Sequence, residues 1–93
     1  MKLRSKEYLA YVRSLPCTVT RKSHSVAHHI TFVEGNGMGT KVSDHYTVPL
    51  SPEEHALLHQ MGEKRYWSEH EFDLEEVKQI ALDIWREYEH KRN

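Results

Sequence analysis

The stretch SVAHHITFVEGNGMGTKVSDHYTVPLSPEEHALLHQMG, residues 25–62, holds five of the chain's eight histidines and decides how the chain folds. Its first part, VAHHITFV at 26–33, is rich in branched and aromatic residues and lies between polar segments, which predicts a strand. EGNGMGTKVSD then places three glycines within five residues, a composition that ends regular pairing and makes a loop. HYTVPL at 45–50 predicts a second short strand, with Pro49 near its end because proline cannot donate to a ladder. The two strands are expected to pair antiparallel. SPEEHALLHQMG predicts a helix: Ser51 at the N-cap, Pro52 at the first helical position, Glu54 three residues after the cap and Gly62 as terminator.

Outward from this stretch, Ser5 is placed to cap a helix over about Lys6 to Ser14, with Tyr8, Leu9 and Val12 on one side and Pro16 as its stop. A last helix is expected from Asp73, with Glu76 completing a capping box and Leu74, Val77, Ala81, Ile84 and Tyr88 at helical spacing, to about Glu89. Trp67 and Phe72, in RYWSEHEFD, read as packing residues rather than a platform for stacked bases. The chain shows no internal repeat. The fold class expected is α+β, in a single domain over 1–93.

Composition narrows the function. With 93 residues there is room for one core, and 38% hydrophobic content makes it thin, so a bound metal or partner would add stability. A single cysteine, Cys17, excludes an intrachain disulfide and a four-thiolate zinc site; it reads as a buried small hydrophobe. No apolar run reaches signal-peptide or membrane-span length, which predicts a protein of a reducing cytoplasm with no membrane partner. The formal net charge of −1 argues against coating nucleic acid by bulk charge. Its distribution is uneven: residues 1–41 carry seven basic and two acidic groups, against six and twelve in residues 42–93. A basic N-terminal half is able to meet phosphates.

Residues four apart in a helix stack on one face, so His55 and His59 can offer two imidazoles to one cation. Adjacent strand residues point to opposite faces, so His28 and His29 must do different jobs. One can turn to the helix as a third ligand. A strand carrying paired histidines, a hairpin and an H-x-x-x-H helix together suit a three-ligand site with open coordination positions.

The words LPC at 15–17, HHI at 28–30, GNGMGTK at 35–41, SDHYTVPL at 43–50 and HALLH at 55–59 resemble the HNH endonucleases, and within them small phage and prophage proteins similar to the recombination-enhancement nucleases. The resemblance covers about residues 15–62. It implies a ββα-metal motif with flanking N-terminal and C-terminal helices, an endonuclease hydrolysing phosphodiester bonds in DNA, and a phage- or prophage-encoded protein of a bacterial cytoplasm. It further implies that His28, His55 and His59 bind one divalent metal ion and that His29 is the general base. The middle residue of the family's motif, usually Asn, is absent, and Asp44 or His45 is expected to take its place. Many relatives hold a structural zinc through C-x-x-C and C-x-x-H; here the positions read Cys17, Thr20, Ser51 and Glu54, so no structural zinc is expected.

For the divalent metal, Mg or Mn is implied by the family, while three imidazoles favour Zn, Ni, Co or Mn. Arg21, Lys22 and Lys41 are candidates for DNA phosphate contacts. A homodimer would bring two sites to two strands. Against the nuclease stand two other classes: a catalytically inactive, metal-stabilised DNA-binding or recombination-accessory module, and an inhibitor or adaptor in which the histidines are incidental.

Overall fold

The computed structural model describes residues 3–33 and 42–92. The order of elements is α1 (Lys6–Arg13), β1 (Val26–His29), β2 (Thr47–Leu50), α2 (Pro52–Met61), α3 (Glu63–Glu69) and α4 (Leu74–Arg92). The molecule is therefore a mixed α+β fold, with four helices and one two-stranded antiparallel sheet among the described residues. No helix among the described residues is long and apolar enough to cross a membrane.

The strands pair Val26 with Leu50, Ala27 with Pro49, His28 with Val48 and His29 with Thr47. Both are shorter than the sequence predicts. Past His29 a single bond continues, from the Ile30 N–H to the Tyr46 carbonyl at 2.9 Å. Beyond it the backbone N–H of Thr31 goes to a side chain, Glu63 Oε1, at 3.0 Å, so it has no ladder partner. His45 likewise lies in the turn before β2, not in the strand. Pro49 sits inside β2 and is tolerated because each strand is an edge; its carbonyl accepts from the N–H and the hydroxyl of Thr18, both at 2.8 Å, which covers that edge.

Helix starts follow their caps. Ser5 Oγ accepts from the Tyr8 N–H at 3.1 Å, and Ser51 Oγ from the Glu54 N–H at 3.2 Å. The capping box expected at α2 is only half made, because Glu54 turns away to accept the Tyr66 hydroxyl at 2.6 Å. The box at α4 has its reciprocal half: Glu76 Oε1 accepts from the Asp73 N–H at 3.0 Å. Gly62 ends α2, its N–H bonded to the Leu58 carbonyl, and its own carbonyl accepts from Tyr66 to begin α3. At φ +96° and ψ 141° it holds a conformation that only glycine adopts without strain.

The sheet, α2, α3 and α4 close over a core of Cys17, Ile30, Val48, Leu50, Leu58, Tyr66, Trp67, Val77 and Ala81. Trp67 is fully buried, as its packing role requires. Helix α1 is held to α4 by aromatic contacts: Tyr8 lies 4.9 Å, centroid to centroid, from both Trp85 and Tyr88. These layers leave one face of β1 looking at α2, and there His28 meets His55 and His59.

Candidate metal centre

β2 runs into α2 through Ser51 alone, so the first turn of α2 is placed by the sheet. The His55 N–H makes the opening helical bond, to the Ser51 carbonyl at 2.9 Å. One turn on, His59 stacks beneath it, with ring centroids 4.5 Å apart. On β1, His28 is buried, and its ring lies 5.1 Å from that of His55 and 5.9 Å from that of His59. One nitrogen from each of the three rings falls within 4.8 Å of the others. Three nitrogens around a first-row cation at about 2.0–2.1 Å stand roughly 3.3 Å apart. Ligation thus requires the three nitrogens to close from within 4.8 Å to that spacing.

The surroundings of His55 favour its neutral imidazole. The pKa of His55 is lowered, first by burial and then by the neighbouring rings of His28 and His59, with Glu63 opposing. His55 and His59 meet through their Nε2 atoms at 3.0 Å, a bond in which one ring must donate. A cation replacing that bond requires both lone pairs, so the shared proton has to leave Nε2.

Glu63, which sequence reasoning missed, completes the wall of the cluster. Its Oε2 lies 2.8 Å from His28 Nε2 and accepts from Trp67 Nε1–H at 3.1 Å; its Oε1 accepts from the Thr31 N–H and hydroxyl at 3.0 and 2.7 Å. Burial opposes its ionisation, but these bonds outweigh burial and leave its pKa below the usual carboxylate range. No local spacing marked it: Gly62 does end α2, so Glu63 is not on the helix of His59 and reaches His28 only across the turn.

His29, on the opposite face of β1 from His28, has its own carboxylate. Its Nε2 lies 2.7 Å from Asp44 Oδ1, and Asp44 Oδ2 accepts from the Ser5 N–H at 2.7 Å. Asp44 and not His45 therefore stands beside His29. His45 bonds the Ser43 hydroxyl through Nδ1 at 2.8 Å and packs edge-on against Trp85, centroids 4.5 Å apart. The histidine cleft, of about 450 Å³, includes His28, His29, His55, His59 and Glu63. His29 also borders a second cavity of about 570 Å³, lined by Arg4, Lys6, Leu9 and Asp44 among others.

Among the described residues, Arg4 and Lys6 are the cations that line this second cavity with His29, and the sequence did not single them out. Arg21 instead lines a separate groove with Pro16, Pro49, Phe72 and Ile84, and Lys22 is exposed next to it in sequence. Lys41 and the glycine-rich segment lie outside the described residues. At the four positions compared above with a structural zinc site, Cys17 is buried and its Sγ lies 3.5 Å from the Thr20 N–H. Burial pushes the thiol up, but bonds from Thr20, Ser51 and Val19 prevail and lower its pKa. Ser51 caps α2 and Glu54 holds Tyr66, so both have other work.

A family model described as "Protein of unknown function (DUF968)" matches residues 1–84 of the 93. The chain belongs to the DUF968 family. No curated protein and no solved structure matches it. The DUF968 match spans α1 through most of α4 and so includes every residue of the two histidine–carboxylate pairs and the three-histidine cluster.

Proposed function

We propose that the protein is a metal-dependent endonuclease of the HNH type, its ββα-metal motif formed by β1, β2 and α2. The observation that carries this reading is the convergence of His28, His55 and His59 within 4.8 Å, with a carboxylate-bound histidine next to the first of them in the chain and bordering the same cleft. Three imidazoles meeting at one point are a donor set that fits a first-row divalent cation with positions left open. When bound there, a divalent cation supplies positive charge for the non-bridging and departing oxygens of a phosphodiester.

His29 is the general base. A carboxylate at Nε2 holds that nitrogen protonated and leaves the lone pair on Nδ1. Nδ1 takes a proton from water as the water oxygen bonds to phosphorus; the P–O3′ bond breaks, and the departing oxygen takes a proton from solvent. Asp44 keeps the ring in this tautomer and stabilises the imidazolium that forms. Its anchor to the Ser5 N–H fixes its direction. Arg4 and Lys6, bordering the second cavity, are better placed than Arg21 to meet the phosphates flanking the cut.

The test is incubation of purified protein with plasmid and linear DNA in Mg, Mn, Ni, Co or Zn beside the His29→Ala variant. Cleavage by the wild type, lowered about 10²- to 10⁴-fold in the variant with metal binding retained, supports the reading. Equal behaviour of the two proteins in every metal overturns it in favour of a non-catalytic, metal-stabilised module.

A further inference from the structure

Glu63 is a buried carboxylate that the proposed hydrolysis does not use. Each of its oxygens already faces an N–H that can only donate, the Thr31 backbone at Oε1 and the Trp67 indole at Oε2. Its side chain is 9% exposed, and the Thr31 hydroxyl adds a third donor. A carboxylate surrounded in this way is an acceptor on both oxygens. The contact at 2.8 Å between Oε2 and His28 Nε2 therefore has its proton on the histidine. Among the described residues, the nitrogens spaced to share one ion belong to His28, His55 and His59, and Glu63 is not in that group. It reaches the cluster through His28.

From this we infer that Glu63 is the positioning residue of the metal centre: by accepting the Nε2–H of His28 it fixes the tautomer and leaves Nδ1 as the ligand nitrogen. The inference rests on the metal-site reading above and names how one of its ligands is prepared. It also explains why α3 follows α2 with one glycine between them. Gly62 breaks the helix, and the residue after it turns back to His28 and Thr31. Trp67, one turn along α3, and Thr31, just past β1, lock the carboxylate from both sides. A ring held by a buried carboxylate is a stronger donor and loses less freedom on binding; removing such partners elsewhere weakens metal binding about 10- to 100-fold.

The experiment uses the full chain with Zn or Co ions alone as probe. Nitrogen-15 NMR of the metal-free wild type should give His28 as the Nε2–H tautomer, with the Nδ1 resonance moving on addition of Zn. Calorimetric titration should show Glu63→Gln binding Zn about 10- to 100-fold more weakly, with an altered Co absorption spectrum. A merely structural role would lower the melting temperature and leave the His28 resonances and the Co spectrum unchanged. An Nδ1–H tautomer in the wild type, or equal Zn affinity in a folded Glu63→Gln, overturns the inference. If that variant does not fold, the wild-type spectrum decides alone. Absence of Zn and Co binding by the wild type removes the metal-site reading together with this one. Metal binding without DNA cleavage removes only the nuclease and leaves Glu63 standing.

Discussion

Replacing Asp44 by Asn is the sharpest single change available, because it alters one atom and inverts a tautomer. Asp44 is 3% exposed; one oxygen accepts from the Ser5 N–H at 2.7 Å and the other faces His29 Nε2 at 2.7 Å. An Asn must present its amide nitrogen to one of these. Turned to Ser5, two donors would face each other and orphan a partly buried N–H, at about 1–3 kcal/mol. Turned to His29, the amide needs only that the ring proton move from Nε2 to Nδ1, a smaller cost. Arg4 does not reverse the choice, since its 3.5 Å contact with Oδ1 is supplemented by a 2.6 Å bond to the Val42 carbonyl. The variant thus presents Nδ1–H where the base needs a lone pair. In the proposed mechanism cleavage falls about 10²- to 10⁴-fold, or about 2.7–5.5 kcal/mol in barrier. Stability falls by about 2 kcal/mol as two charge-assisted bonds become neutral. The assay is plasmid relaxation with Mn, beside calorimetric Mn affinity and urea unfolding of the same samples. Affinity should be unchanged, because Asp44 bonds none of the three clustered histidines. A folded Asp44→Asn that cleaves at the wild-type rate, or that loses Mn affinity in step with activity, refutes the assignment.

Gly62→Ala meets no atom within 4 Å, so its cost is conformational: at φ +96° about 1–3 kcal/mol by urea unfolding, with weaker Zn binding because the same residue aims Glu63. An unchanged unfolding midpoint would show that the bend is not strained. At high pH the buried tyrosines govern stability. Burial raises the pKa of both Tyr8 and Tyr66 above its usual value near 10, so above pH 10 the unfolded chain releases protons that the folded one keeps. Stability should hold up to about pH 10 and then fall by about 1.4 kcal/mol per pH unit for each tyrosine, and Tyr66→Phe should make that slope shallower in urea melts from pH 9 to 11.5. A stability flat across this range would contradict the burial of both hydroxyls.

What could be read from the sequence was what local chemistry encodes. Ser5, Ser51 with Pro52, and Asp73 with Glu76 mark helix starts because each satisfies a backbone N–H within three residues of itself. The stacking of His55 and His59 follows from helical spacing alone. Helix α3 was not legible because it has no side-chain cap; the carbonyl of Gly62 starts it. The choice between Asp44 and His45 was not legible either. Both are turn residues, and what separates them is tertiary: the Ser5 N–H is there to hold Asp44, and the Trp85 ring of α4 is there to hold His45. Arg4 and Lys6 escaped for the same reason. A cation's use depends on which cavity it borders, and that is set by how α1 docks beside His29 of β1 and Asp44 before β2.

In the proposed mechanism the two strand histidines become different instruments through their surroundings, not their chemistry. In each, Nε2 is held by a carboxylate at nearly the same distance, 2.8 Å from Glu63 and 2.7 Å from Asp44. Strand alternation then separates them. The side chain of His28 is 3% exposed and closed in among two other imidazoles, while that of His29 is 36% exposed and borders two cavities. A metal ligand benefits from enclosure, since water competes for the cation and for the ring. A base must trade protons with what enters the cleft, and enclosure would prevent it. The two carboxylate variants should therefore part company: Asp44→Asn costs turnover at constant metal affinity, and Glu63→Gln costs metal affinity first. That crossed result cannot come from two histidines that merely share a surface strand, because neither carboxylate would then have a function to separate.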